Sequence, residues 1–173
     1  MTTEAIIFVG CSGSGKSTAR AIIQAEGYVG FEASEFSKRI LDKHKVSDVL
    51  SFYSTTENRC SVARAILAEI TATQSMRVVV SGFRIPEEIL LFRSCFDNVR
   101  VIGIWSAYEL CYDRVRRNPA KHFDSFIDFF RRRICEDNAL GLSIVFMRHV
   151  DLVIANTGVR KQYETDILNL LPH

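Results

Sequence analysis

The residues of this chain best suited to chemistry are Gly10-Cys11-Ser12-Gly13-Ser14-Gly15-Lys16-Ser17, a GxxxxGK[ST] string directly after the apolar run Ala5-Ile6-Ile7-Phe8-Val9. Glycines at these spacings let the backbone curl until successive N–H groups point inward, where they hold phosphate oxygens. A helix opening near Gly15 adds the positive end of its dipole. Lys16 then brings a mobile cation to the β- and γ-phosphates of a nucleoside triphosphate, Ser17 a hydroxyl ligand for Mg²⁺, and Thr18 a further hydrogen bond. Cys11, inside the loop, reads as a small packing residue and not as a nucleophile.

A second concentration of chemistry lies between Asp113 and Arg133. Arg114, Arg116, Arg117, Lys121, Arg131, Arg132 and Arg133 face only Asp113, Asp124 and Asp128, a local balance of +4 in a chain whose net charge is +2. Two helices joined by a turn at Asn118-Pro119 would form a lid, with Arg114, Arg117 and Lys121 on one side and Arg131 or Arg133 on the other. Guanidinium groups closing over a triphosphate donate paired hydrogen bonds and neutralise charge developing in transfer. Three consecutive arginines cannot share one helix face, so at most one or two of the triplet reach such a site. Phe123, Phe126, Phe129 and Phe130 interleave with these charges. They suit either a stacking strip for single-stranded nucleic acid or the buried face of an amphipathic helix. His44, His122, His149 and His173 are scattered without metal-ligand spacing, and Trp105 reads as a structural aromatic at a strand end.

The elements that position these residues follow from short, β-branched apolar runs. Strands are predicted over 5–9, 28–31, 78–80, 99–104 and 152–154, and helices over 16–26, 34–44, 56–74, 86–96, 107–117, 122–138 and 159–171. Alternating strands and helices with nearly continuous apolar strands imply a five-stranded parallel sheet covered on both faces, a three-layer α/β domain. The expectation is one domain over 1–173 with the lid inserted at about 113–138. In such sheets ligands sit beyond the carboxyl ends of the strands.

Composition narrows the class. At 173 residues, 47% of them hydrophobic, the chain can build its own core without disulfides or a structural metal. Five widely spaced cysteines, Cys11, Cys60, Cys95, Cys111 and Cys135, fit neither a disulfide framework nor a zinc ribbon and suggest reduced thiols. With 22 basic against 20 acidic residues no global field attracts nucleic acid or a membrane. The N-terminus lacks signal-peptide organisation and no apolar run reaches membrane-span length, so a cytoplasmic location is expected.

No Asn-Lys-x-Asp string occurs, which sets the chain apart from base-reading GTPases, and its length suits a small kinase. The chain resembles P-loop kinases of the nucleoside-monophosphate-kinase type, the group of adenylate kinase and dephospho-coenzyme A kinase, and within it small archaeal adenylate-kinase-related proteins. Glu32-Ala33-Ser34-Glu35-Phe36-Ser37-Lys38-Arg39 is similar to the family segment facing the acceptor, which assigns acceptor contacts to Glu35 and Arg39. Ser81-Gly82-Phe83-Arg84-Ile85-Pro86 resembles the family turn that grips the acceptor's phosphate, with Arg84 as the gripping residue. Val150 to Gly158 looks like the last strand and its turn near the donor base, which implicates Asn156. By the same analogy Phe52 and Tyr53, with Glu57, Asn58 and Arg59 behind them, wall the acceptor pocket. Ser81 stands where the family usually has aspartate, so either Glu35 or Glu32 takes the outer-sphere role toward Mg²⁺ or the metal is held more weakly.

The resemblance implies a transferase of the ATP γ-phosphoryl group, with Mg²⁺, to a small phosphorylated acceptor, foremost a nucleoside or deoxynucleoside monophosphate. Three arrangements stay open beside it. The acceptor is a hydroxyl in DNA or RNA, or it is dephospho-coenzyme A, or the chain is a nucleotide-binding regulatory module without transfer. Oligomeric state is not legible.

Overall fold

Ala5 to Val9 is a run of apolar side chains without a polar break, and in a strand alternate members must find cover on opposite faces. The computed structural model, which describes residues 3–46, 49–118 and 123–171, shows this. Strand β1 (Glu4–Val9) is the middle of a five-stranded, all-parallel sheet of order β2-β3-β1-β4-β5, formed with β2 (Val29–Glu32), β3 (Arg77–Ser81), β4 (Asn98–Trp105) and β5 (Leu152–Ala155). Each predicted strand is present, within one residue of its predicted ends.

Ala5, Ile7 and Val9 point to one face, where α2 (Ala33–His44), α4 (Ser61–Thr73), α5 (Pro86–Cys95) and α8 (Leu142–Arg148) supply Phe36, Ile66, Phe92 and Val145. Ile6 and Phe8 point to the other, against Ala19 and Ile23 of α1 (Lys16–Ala25) and Tyr163 and Ile167 of α9 (Arg160–Leu168). Fully burying one such Ile or Phe side chain contributes about 1.5–3 kcal/mol. A third, small cluster joins α6 (Tyr108–Val115) to α7 (Phe126–Leu140) through Cys111, Val115 and Phe129, flanked by Tyr112, Phe123 and Phe126. Phe129 is therefore core, and Phe126 and Phe123 pack on Tyr112 and Phe129 rather than forming an open stacking strip. Among the described residues no helix is long and apolar enough to cross a membrane.

Several helices depart from the sequence expectation. Residues Val49–Ser54 form α3, too short to display a helical period, and Phe52 and Tyr53 are buried by it. The expected helix over 56–74 accordingly begins only at Ser61. Gly141, in the left-handed region at φ 91°, ends α7 and opens the separate α8. The two helices expected to form a lid are also displaced: α6 stops at Val115 and α7 starts at Phe126, where Ser125 Oγ accepts the Asp128 N–H at 3.1 Å. Pro119, Lys121, His122 and His173 lie outside the described residues.

Candidate functional site

The loop between β1 and α1 leaves the carboxyl end of the central strand and turns through Gly13 (φ 85°) and Gly15 (φ 109°). Both glycines are required by space as well as by φ. A Cβ on Gly13 would lie 2.4 Å from the Cys111 carbonyl, and one on Gly15 would lie 2.3 Å from Asn156 Nδ2. No side chain caps the first turn of α1, so its leading N–H groups face the cleft in the manner of an anion site. Lys16 folds back on the loop, its Nζ donating to the Cys11 carbonyl at 2.7 Å.

The loop is held from behind by three donors from distant elements. Arg114 Nη1 reaches the Gly13 carbonyl at 3.1 Å, Asn156 Nδ2 the Ser14 carbonyl at 2.8 Å, and the Tyr163 hydroxyl the Gly15 carbonyl at 3.0 Å. Arg114 and Asn156 are joined to one another, Nη2 to Oδ1, at 3.0 Å. Both residues were expected at the nucleotide, Arg114 from the lid and Asn156 near the base. The structure sets Asn156 under the loop, with both ends of its amide engaged by protein, and Arg114 at the cleft margin against the loop's carbonyls. Burial pushes the Tyr163 phenol well above its ordinary range, so it remains a donor at physiological pH.

A carboxylate stands beside the Ser17 hydroxyl, the expected Mg²⁺ ligand. Ser17 Oγ donates to Glu32 Oε2 at 2.9 Å and Ser81 Oγ donates to the same oxygen at 2.7 Å, with Arg20 Nε donating to Ser81 at 3.1 Å. Of the two glutamates expected to substitute for the family's aspartate, Glu32 is the one at this position, because it ends β2 alongside Ser81 of β3. A hydroxyl and a carboxylate, with no sulfur or imidazole among them, are the oxygen donors a hard cation such as Mg²⁺ selects, so these residues fit it.

Loop, carboxylate and helices α2, α3 and α7 enclose a cleft of about 1050 Å³. Its far wall carries Glu35, Ser34, Ser37, Tyr53, Glu88, Arg84, Arg132 and Glu136. The Tyr53 hydroxyl donates to Ser37 Oγ at 2.9 Å. Arg84 Nη1 meets Glu136 Oε2 at 2.6 Å, and Arg133 and Arg132 meet the other oxygen of Glu136 at 2.7 and 3.4 Å. Burial pushes the Glu88 carboxyl up to about 8 despite the Arg84 and Ile85 N–H groups donating to it and the charge of Arg84.

The cleft thus brings together Ser12, Gly13, Gly15, Lys16, Ser17, Thr18, Glu35, Arg84 and Arg114 of the expected site. Gly10 and Ser14 belong to the same loop beneath its surface, and Cys11 turns toward α6. Arg39 is not brought in: its guanidinium lies over Phe36 and pairs with Glu69 of α4 at 3.6 Å. Arg117 is exposed beyond the end of α6 and does not line the cleft. Arg59 turns to Glu87 and the Leu140 carbonyl. Glu136 and Glu88 were missed by sequence reasoning. Glu136 sits at helical spacing from Arg132 and Arg133, which is a legible pairing signal, but nothing local announces its contact with Arg84.

Solved structures with a similar fold include several kinases. The chain matches the shikimate kinase from Acinetobacter baumannii in complex with shikimate at a TM-score of 0.60 and 17% identity, over 98% of this chain and 93% of that one. A gluconokinase from Sinorhizobium meliloti 1021 gives 0.59 at 17% identity, over 98% and 94% of the two chains. Dephospho-CoA kinase from Campylobacter jejuni gives 0.52 at 16% identity, over 96% and 95%. The chain has the P-loop kinase fold. No family model matches it, and no curated protein matches it by sequence. At these identities the likeness carries the fold alone, and the chemistry has to be argued from the residues.

Proposed function

We propose that this P-loop kinase fold transfers the γ-phosphoryl group of ATP to a hydroxyl of a small polar acceptor. The observation that carries the reading is the single cleft of about 1050 Å³, with the phosphate loop at one end and a wall of carboxylates and hydroxyls at the other. That volume is at the upper limit of pockets that hold one ligand, and suits a donor and an acceptor side by side.

The acceptor wall favours a hydroxyl over a phosphate. Arg84 and Arg132 are committed to Glu136, and Arg39 points away, so a phosphorylated acceptor would have to break existing ion pairs to be gripped. Ser34, Ser37, Tyr53 and Glu35 offer hydrogen bonds to a polyhydroxy compound instead. The structural likeness to kinases named for shikimate and gluconate supports the same reading.

In this reading the loop amides and Lys16 hold the triphosphate, while Arg114 keeps the loop in shape and lends charge from the cleft margin. Ser17, with Glu32 behind it, would hold Mg²⁺, which would supply charge neutralisation to the triphosphate. Glu35, exposed on the acceptor wall, accepts the hydroxyl proton as the oxygen attacks phosphorus. Enclosure by α7 keeps water from competing with the acceptor.

The test is Mg²⁺-dependent ADP production from ATP across hydroxy acids, sugars, nucleoside monophosphates, dephospho-coenzyme A and DNA, with Lys16→Ala as the blank. Turnover with a hydroxy acid or sugar, lost about 10²-fold or more in Glu35→Gln, is expected. Turnover confined to nucleoside monophosphates would return the acceptor to the class implied by the sequence resemblance. ATP binding with flat traces throughout would leave a nucleotide-binding module and overturn transfer.

A further inference from the structure

Cys11 of the phosphate loop and Cys111 of α6 are a hundred residues apart in sequence, yet their Sγ atoms are 3.1 Å apart. That is about 1 Å from the ~2.05 Å of a disulfide bond. Both are free thiols, and among the described residues Cys60, Cys95 and Cys135 make no comparable sulfur contact.

The two sulfurs are unequal. Cys111 is fully buried, whereas Cys11 is half-buried and lines a second cavity of about 330 Å³ between the end of β4 and helices α6, α7 and α8. A small solute therefore reaches Cys11 first. The hydrogen bond with Cys111, aided by the charges of Lys16, Arg133 and Arg84, lowers the Cys11 thiol to about 7 against the opposing effect of burial. The same hydrogen bond, burial and the Cys11 charge push the Cys111 thiol up. An accessible thiolate with a protonated thiol against it is the arrangement of an attacking and a resolving cysteine.

We propose that Cys11 and Cys111 form an oxidation site at which hydrogen peroxide closes a disulfide between the phosphate loop and α6. The Cys11 thiolate attacks one peroxide oxygen, the O–O bond breaks, and hydroxide leaves to be protonated to water, so Cys11 becomes a sulfenic acid. The Cys111 sulfur then attacks the Cys11 sulfur. The S–S bond forms, the S–O bond breaks, and the leaving hydroxide departs as water with the Cys111 proton. Two thiols lose two electrons and two protons in total, and one peroxide becomes two waters.

The loop has to make the approach, because Cys111 is embedded in a helix packed on Gly13 and fixed by Arg114. The Cys11 carbonyl that moves with it accepts both the Lys16 ammonium at 2.7 Å and the Ser14 N–H at 3.2 Å. Oxidation thus displaces the cation and amides meant for phosphate, and ATP affinity falls at least tenfold. This consequence rests on the nucleotide-binding reading, whereas the disulfide does not.

The experiment exposes the reduced 173-residue chain to hydrogen peroxide, blocks remaining thiols, digests without reductant and maps peptides by mass spectrometry, with ATP affinity measured before and after. A Cys11–Cys111 linked peptide lighter by two hydrogens, reversed by dithiothreitol, is expected. Cys111→Ala should bind ATP as the reduced wild type does, and on peroxide should accumulate sulfenic or sulfinic acid at Cys11. Should that variant fail to fold, dimedone trapping of Cys11 in the wild type at limiting peroxide makes the same test. A Cys60→Ser, Cys95→Ser, Cys135→Ser variant should form the link in undiminished yield. Cys11 remaining a free thiol while Cys95 and Cys135 oxidise, or reaching sulfinic acid in the wild type with no linked peptide, overturns the site. A link formed without change in ATP affinity overturns its effect on the loop. Reduced protein that never binds ATP overturns the proposed function and leaves the disulfide standing.

Discussion

At the loop end of the cleft, Arg114, Asn156 and Tyr163 each donate to a carbonyl of the phosphate loop. At the acceptor end, Arg84, Arg132 and Arg133 converge instead on a single carboxylate, Glu136, and the exposed groups are side chains from α2, α3 and α7. Under the proposed function, donor recognition rests on backbone held in one shape and acceptor recognition on side chains. A backbone cradle recognises what all nucleoside triphosphates share. A wall of side chains can be specific to one small molecule.

The sharpest way to break the donor end is Lys16→Ala, for which a loss of about 10²–10³-fold in kcat/KM is expected with the fold intact, read by ADP production and by circular dichroism. At the acceptor end Glu136→Gln removes the shared counter-charge of Arg84 and of Arg133, which is 8% exposed. Urea denaturation should show a loss of about 3 kcal/mol. Steady-state kinetics should show acceptor KM changing more than ATP KM. If ATP KM moves as far, the two ends are not separable.

Asn156→Ala tests whether loop shape is maintained from behind. It removes the amide donor to the Ser14 carbonyl and the acceptor of Arg114 Nη2, at a cost of about 1–3 kcal/mol. ATP affinity measured by calorimetry should fall by about tenfold, with acceptor KM unchanged.

The last effect concerns pH. The folded-state pKa of Glu88 is raised to about 8, against about 4.3 for an unfolded glutamate, so the native state binds the proton more tightly. Its contribution to stability is complete below the unfolded pKa and is lost as pH rises through about 8. Melting temperature should therefore decline between pH 5 and pH 8.5, and decline less in Glu88→Gln, whose amide oxygen still accepts from the Arg84 and Ile85 N–H groups.

Legibility follows the same division as function. The phosphate loop was fully readable because GxxxxGK[ST] is contiguous and its chemistry resides in backbone conformation, which local sequence controls. The strands were readable because a buried parallel sheet needs unbroken β-branched runs. Helices α3 and α8 were not, since six or seven residues contain too few turns to show a period. Arg39 shows the limit of carrying a motif across by position: it sits one turn beyond Glu35 on α2, and its contacts with Phe36 and Glu69 take it away from the cleft.

By itself, then, the sequence determined a five-stranded α/β sheet and a glycine-rich loop that follows its first strand and ends at Lys16 and Ser17. Only the tertiary structure decided that Glu32 stands at Ser17, that Asn156 and Arg114 hold the loop, that Glu136 gathers three arginines, and that Cys11 meets Cys111. The reason is range. Backbone curvature and strand burial are set by neighbours a few residues away, whereas each of these contacts joins parts of the chain whose proximity exists only once the sheet has formed.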